Sequence, residues 1–222
     1  MAVKVKHFIA SFSLFERILY MKFPFFASFI VLCIWLSYEI RKHHKLQQET
    51  TDNFWEKEIA ADNTRRKSLD NLNYITIPFD SLPMETLKDD PAIKEYHETL
   101  YTISEGPIVN FTGISNTDLK LQYGAPNIDL LSLYDQRYTS LVRTLQSWAQ
   151  HLYDQSYADE ARTILEFAIS TNSDVSASYK LLAGIYLDTD QPEKIKALIP
   201  VAENLNSPLS GHIVSSLEKM IQ

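Results

Sequence analysis

Histidines and paired carboxylates are the residues of this chain whose types suit acid–base chemistry. They are His97, His151 and His212, and the pairs Asp159 with Glu160 and Asp188 with Asp190. Both pairs lie in or beside predicted turns between helices, where acidic residues cap helix N-termini. The sequence has no phosphate-binding glycine loop, no nucleophile elbow and no cysteine-based zinc pattern. It therefore predicts no catalytic activity and no cofactor.

A second candidate is the adjacent pair His43 and His44, because imidazole is a common metal ligand. The pair is flanked by Arg41, Lys42 and Lys45. A solvated basic flank is the simpler interpretation, so we predict no metal site.

An internal repeat over residues 145–207 dominates the rest of the chain. Its first copy consists of Leu145, Trp148, Ala149, Leu152, Ala161, Leu165, Ala168 and Ser173. Its second copy consists of Tyr179, Leu182, Ala183, Tyr186, Ile195, Ile199, Ala202 and Ser207. Each residue of the second copy follows its counterpart by 34 positions. Small and bulky residues at these spacings predict two antiparallel helical hairpins.

Turn signals divide each copy into two helices. They are residues 154–156 (DQS) in the first copy and residues 188–192 (DTDQP) in the second. Where the first copy has Ala161, the second has Ile195, so we expect less tight packing there.

A 34-residue period with this pattern resembles the tetratricopeptide repeat family over roughly residues 141–222. The chain departs from that family by having Ser173 and Ser207 where proline is frequent, and by having two copies. The alternative is a generic pair of helical hairpins with coincidental spacing. Residues 208–222 predict a further helix with one polar face, which would close the repeat core.

The resemblance implies a concave groove, lined by the first helix of each hairpin, that holds a peptide of a partner protein. Carried over to this sequence, the groove residues are Arg143, Gln146, Gln150, Tyr153, Lys180, Gly184 and Leu187. Arg143 and Lys180 could receive a carboxylate, and Tyr153 and Leu187 could pack on an apolar side chain. The alternative is that these are ordinary exposed helix residues.

Charge is divided unevenly along the 222-residue chain. Residues 1–45 carry seven basic residues against two acidic ones, whereas residues 46–222 carry 14 against 26. The basic end suits an anionic membrane surface, and the acidic remainder argues against nucleic acid as a partner. No small-molecule substrate is evident.

Residues 23–40 predict a single transmembrane helix that would bind the lipid bilayer. They are apolar up to Glu39, with aromatic residues near both ends, and at about 1.5 Å per residue they span roughly 27 Å. A cleaved signal peptide and a buried core helix are the alternatives. Residues 1–22 form a basic segment, either a targeting or surface-lying stretch or an artefact of a start upstream of Met21.

Membrane orientation follows from Arg41, Lys42 and Lys45 beyond the apolar stretch. The positive-inside rule places the C-terminal part in the cytoplasm if translation begins at Met21. If residues 1–20 are present, Lys4, Lys6 and Arg17 balance the downstream charges and the orientation stays open.

The middle of the chain connects this segment to the repeats. Residues 41–70 predict a polar linker with a helix. Residues 71–130 predict an extended arm at 74–79. A helix capped by Asp90 should follow from Pro91 to about 104, and then an irregular connection at 107–127. We expect the arm and this helix to cover the repeats of residues 131–222. From the apolar segment to the arm, the sequence also resembles uncharacterised membrane-anchored proteins of low-GC Gram-positive bacteria.

The expected protein is all-α, with one N-terminal transmembrane helix, a short extended arm and a small tetratricopeptide-like domain. Its expected function is protein–protein interaction near the membrane, as a scaffold or adaptor without catalysis. The alternatives are a structural subunit that self-associates through the repeats, and an accessory subunit of a membrane transport or envelope complex.

Overall fold

The computed structural model describes residues 28–42 and 51–221. The chain divides into two compact units, Met1–Ile59 and Ala60–Gln222. Residues 28–42 are helical, and most of their side chains are exposed.

Within the described ranges, no helix has both the length and the apolar character needed to cross a membrane. The predicted transmembrane helix covers residues 23–40, of which 23–27 lie outside the described residues. The predicted basic segment 1–22 and the pair His43 and His44 lie outside them as well.

The described part of the chain is helical, as the all-α prediction requires. Residues 51–62 are helical in the predicted linker. The helices that follow are α1 (Pro91–Ser104), α2 (Asn116–Tyr123), α3 (Ile128–Asp154), α4 (Ala158–Ser170), α5 (Ser176–Asp188), α6 (Pro192–Glu203) and α7 (Ser210–Ile221). A 3-10 turn at Ala125–Asn127 joins α2 to α3.

The two predicted hairpins are present as α3–α4 and α5–α6, and their turns have matching hydrogen bonds. Tyr157 N donates to Leu152 O at 2.9 Å in the first turn, and Gln191 N donates to Tyr186 O at 2.7 Å in the second. These two bonds are 34 residues apart. Because both the donor and the acceptor keep the same offset, the 34-residue period describes the backbone as well as the side chains.

Two further features recur at the same offset. Ser156 and Asp190 both have positive φ angles, 69° and 55°. Ser173 Oγ accepts from Val175 N at 3.3 Å, and Ser207 Oγ accepts from Leu209 N at 3.2 Å. The serines that stand at the predicted loop positions therefore form the same short turn in both copies.

The core of the second unit lies between these hairpins. Fully buried side chains come from every helix of the repeat, including Trp148, Leu165, Tyr179 and Leu217. Ile195, for which we expected looser packing than at Ala161, is also fully buried. Helix α7 lies where a further helix was predicted, and it buries Ile213 and Leu217.

Helix α1 packs against α3, and the extended arm shares their core. Asp90 caps α1 by accepting from Ala92 N at 2.8 Å and Ile93 N at 3.3 Å. Leu100 of α1 and Ile77 of the arm are buried in the same core as Leu145 and Trp148. Tyr74 of the arm also forms an isolated antiparallel bridge with Val109.

The connection at 107–127 is less irregular than predicted, since it contains α2 and the 3-10 turn. Ser115 caps α2 by accepting from Asp118 N at 3.1 Å. Leu119 is the buried residue of this helix, so the helix has almost no apolar periodicity for a sequence pattern to detect.

Asn127 attaches the linker residues 64–67 to this connection. Its side-chain amide donates to Lys67 O at 2.9 Å and to Tyr123 O at 2.8 Å, and its carbonyl oxygen accepts from Arg66 Nε at 2.9 Å. Asn127 is 2% exposed. Gly124, at φ 96°, allows the close approach, because a Cβ there would collide with the carbonyl oxygen of Arg65.

Candidate protein-binding groove

The first helices of the two hairpins, α3 and α5, contact each other side by side. Tyr153 of α3 donates a hydrogen bond to Asp188 of α5 at 2.9 Å. Ser178 of α5 donates to Gln146 of α3 at 2.6 Å. Two of the predicted groove residues, Gln146 and Tyr153, therefore join the two helices into one surface, which we call the α3–α5 face.

The structure places the predicted groove residues on this face with different degrees of exposure. Exposed are Arg143, Gln150, Lys180 and Leu187; half-buried are Gln146, Tyr153 and Gly184. Leu187 is 41% exposed, which is high for a large apolar side chain in a folded unit. The α3–α5 face therefore offers one apolar contact and several polar ones to solvent.

The polar groups of the α3–α5 face differ in whether the fold already uses them. Gln150 Nε2 donates to Asp154 Oδ1 at 2.8 Å within α3. By contrast, Arg143 and Lys180 have no carboxylate at salt-bridge distance within the part of the chain that the structure describes. These two cations are available to a carboxylate from another molecule.

Acidic groups lie at the other end of the α3–α5 face. The hydrogen bond to Asp188 raises the pKa of the Tyr153 hydroxyl, and the carboxylates of Asp188 and Asp154 add to this effect. The hydroxyl therefore stays protonated as a donor at neutral pH. The α3–α5 face therefore has positive charge at one end, from Arg143 and Lys180, and negative charge from these carboxylates at the other.

Gly184 lies in the middle of α5, and nothing in the fold requires a glycine there. A Cβ at this position would have no heavy atom within 4 Å, and no positive φ is recorded for it. Glycine inside a helix costs roughly 0.5–1 kcal/mol relative to alanine. The bare backbone at Gly184 leaves room for a second chain to approach α5 closely.

Four of the titratable residues singled out first make contacts within the fold. Asp159 pairs with Arg162 at 3.0 Å at the start of α4, and Asp188 accepts from Tyr153. His151 lies 3.3 Å from the Asp90 carboxylate, and His97 packs against Trp148. Among residues 28–42 and 51–221 there is no group of three or more His, Cys, Asp or Glu that could hold a metal ion.

Sequence reasoning missed Asp188 as a member of the α3–α5 face, because it assigned this residue to the turn after α5. The signal was present: Asp188 directly follows Leu187, the counterpart of Tyr153 at the 34-residue offset. Tyr153 of α3 is long enough to reach Asp188, which lies one position beyond its counterpart in α5.

Comparisons of the chain with family models, curated proteins and solved structures found no match. Membership of the tetratricopeptide family therefore stays a prediction, which rests on the repeat itself.

Proposed function

We propose that this chain is a membrane-anchored protein-interaction module, in which the α3–α5 face holds a segment of a partner protein. The observation that carries the proposal is Gly184. It leaves the backbone of α5 uncovered on an exposed helix face. Lys180, which has no carboxylate partner among the described residues, and the exposed Leu187 lie on either side of it. The role is recognition without catalysis.

The chemistry of the partner segment follows from the order of groups on the α3–α5 face. A carboxylate of the partner pairs with Arg143 and Lys180, an apolar side chain packs on Leu187, and the partner backbone passes over Gly184. Since two surface ion pairs contribute little by themselves, the apolar contact and the close backbone approach provide most of the affinity.

The membrane anchor is supported by the side chains of residues 28–42. Phe29 is 60% exposed, Val31 65%, Ile34 65% and Trp35 58%, so large apolar groups face outward on all sides of this helix. In water such a surface is unfavourable by about 25 cal/mol per Å². A lipid environment around residues 28–40 would remove this cost. If translation begins at Met21, the positive-inside rule favours a cytoplasmic C-terminal unit, because Arg41 and Lys42 follow the apolar stretch.

Affinity capture with matched variants of the full chain tests the proposal. Lys180→Glu reverses one cation on the α3–α5 face, and Gly184→Arg fills the space over α5. Lys219→Glu makes the same charge change on an exposed lysine of α7 and serves as control. Partners captured by the parent chain and by Lys219→Glu, and lost from the other two variants, support the groove.

Two outcomes would contradict the proposal. Partners that bind all four chains equally would exclude the α3–α5 face as the binding surface. Sedimentation of the purified chain alone as a dimer or larger, reversed by Gly184→Arg, would instead favour the self-associating structural subunit.

A further inference from the structure

Two histidines lie where helix α1 packs against α3, and each of them contacts a different side chain of the other helix or its cap. His97 of α1 meets the ring of Trp148 edge-on, with centroids 4.9 Å apart and an interplanar angle of 82°. About one turn along α3 from Trp148, His151 lies 3.3 Å from the carboxylate of Asp90, which caps α1.

The ring nitrogen Nε2 of His97 is buried and has no hydrogen-bond partner among the described residues, and neither does Nε1 of the fully buried Trp148. A neutral imidazole can leave Nε2 as a bare acceptor, whereas an imidazolium must place an N–H donor there. A buried donor without an acceptor loses the full free energy of its interaction with water.

The charged groups around His97 do not compensate for this loss. Burial lowers the pKa of His97 below its ordinary value of 6.5, and the Glu85 carboxylate opposes the shift without cancelling it. Glu85 is exposed and pairs with Lys88 at 2.7 Å, which weakens its effect. From α3, the neighbouring group of His97 is the uncharged indole of Trp148.

Asp90, at the start of α1, is a second titratable group at this contact, and it does not change its charge in the same pH range. Partial burial raises the pKa of Asp90, but the hydrogen bonds from Ala92 N, Ile93 N and His151 outweigh it and the pKa lies below its ordinary value. Asp90 therefore stays ionised at mildly acidic pH.

We propose that α1 is an acid-releasable cover of the repeat stack: protonation of His97 detaches α1 from α3 while the two hairpins keep their fold. Release uncovers the apolar side of α3 around Leu141, Leu145 and Trp148, which α1 and the arm bury in the closed form. The hairpins retain their own buried contacts, which do not involve His97.

The sign of the effect follows from linkage. The pKa of His97 is lower in the docked form than in the released form, so the released form binds more protons. Docking is therefore at full strength above pH 6.5 and weakens as pH falls through 6.5. Between 6.5 and the lower pKa of the docked form, the opening equilibrium of α1 rises about tenfold per pH unit.

Hydrogen–deuterium exchange of the full chain at about pH 7.5 and about pH 5.5 brackets this window. After correction for the intrinsic chemical rate, the amides of α1 should lose protection in acid while those of α4 and α6 keep theirs. His97→Phe keeps a ring against Trp148 but cannot be protonated, so its α1 should stay protected. His212→Gln removes an exposed histidine of α7 and should behave as the parent chain.

His97→Gln repeats the test with a neutral polar side chain, in case the phenyl ring disturbs folding. Three results would overturn the proposal: protection of α1 that does not change with pH, an equal loss in the parent and both His97 variants, or a loss in α4 and α6 as large as that in α1.

Discussion

The side-chain amide of Asn110 donates a hydrogen bond to the hydroxyl of Tyr138 at 2.9 Å. The same amide donates to Thr171 O and Asn172 O, both at 3.1 Å, and the Tyr138 hydroxyl donates to Thr171 O at 3.2 Å. A loop that precedes the repeats thus satisfies the carbonyl groups at the C-terminal end of α4. Tyr179, in the same core, has a fully buried hydroxyl without any partner.

The two tyrosines should therefore respond differently to loss of the hydroxyl. Tyr138→Phe removes bonds to Asn110 and Thr171 and should lower the free energy of unfolding by about 1–2 kcal/mol. Tyr179→Phe removes a hydroxyl that has lost its contact with water and gained no hydrogen bond in the fold. The free energy of unfolding should therefore stay unchanged or rise by up to about 1 kcal/mol. Thermal unfolding of the full chain, followed by circular dichroism, measures both. Equal losses in the two variants would mean that Tyr179 has a partner in solution.

Gly184→Ala should separate stability from binding. The methyl group meets no other atom, so the variant gains helix propensity and should be more stable by roughly 0.5–1 kcal/mol. Because the same methyl group occupies the space over α5, partner binding should weaken. Chemical denaturation and a binding titration on the same preparation measure the two effects. Gly211→Ala, also open but at the start of α7, is the control and should leave binding unchanged.

Asn127→Ala should be among the most destabilising polar substitutions in the second unit. It leaves Lys67 O without its side-chain donor, removes one of the two donors to Tyr123 O and deprives Arg66 Nε of its acceptor in a site that is 2% exposed. We expect a loss of roughly 2–4 kcal/mol. Asn116→Ala, at an exposed position of α2, is the matched control and should cost much less. Urea denaturation of the full chain compares them; similar midpoints for the two variants would show that the attachment of the linker adds no stability.

Asp90 performs two tasks that a pair of substitutions can separate. Asp90→Asn keeps an N-cap acceptor for Ala92 and Ile93 but loses the charge beside His151, whereas Asp90→Ala loses both. The melting temperature should therefore fall more for Asp90→Ala than for Asp90→Asn.

The advantage of the Asp90 carboxylate over asparagine should also depend on pH. Since the pKa of Asp90 is lower in the folded chain, its stabilising effect is present above its ordinary value of 3.8 and is lost as pH falls further. Melting temperatures of the parent chain and Asp90→Asn should converge in that acidic range. A gap that persists there would contradict the assignment.

Sequence patterns predicted the elements whose signals are local. The 34-residue spacing marked both hairpins, and the consecutive Asp90 and Pro91 marked the start of α1. Helix α2 escaped prediction because it is short and polar and has Leu119 as its buried residue. Its position depends on its cap at Ser115 and on contacts with distant parts of the chain, neither of which produces a periodic signal.

The candidate groove was predictable to a similar extent. The helical register placed Arg143, Lys180 and Leu187 on an exposed face, as the structure has them. The sequence could not predict which polar groups form hydrogen bonds within the fold, because the partners are far apart along the chain. Examples are Gln146 with Ser178, and Tyr153 with Asp188. The hydrogen bonds of Asn127 to residues about 60 positions earlier are hidden for the same reason.

Residues 62–75 are attached to the rest of the second unit at several points. Asp62 pairs with Lys120 at 2.7 Å, Lys67 N donates to Tyr123 O at 3.0 Å, and Ile75 N donates to Ile108 O at 2.9 Å. A truncation that removes residues 60–75 would therefore delete contacts of the folded unit and not merely a connecting segment.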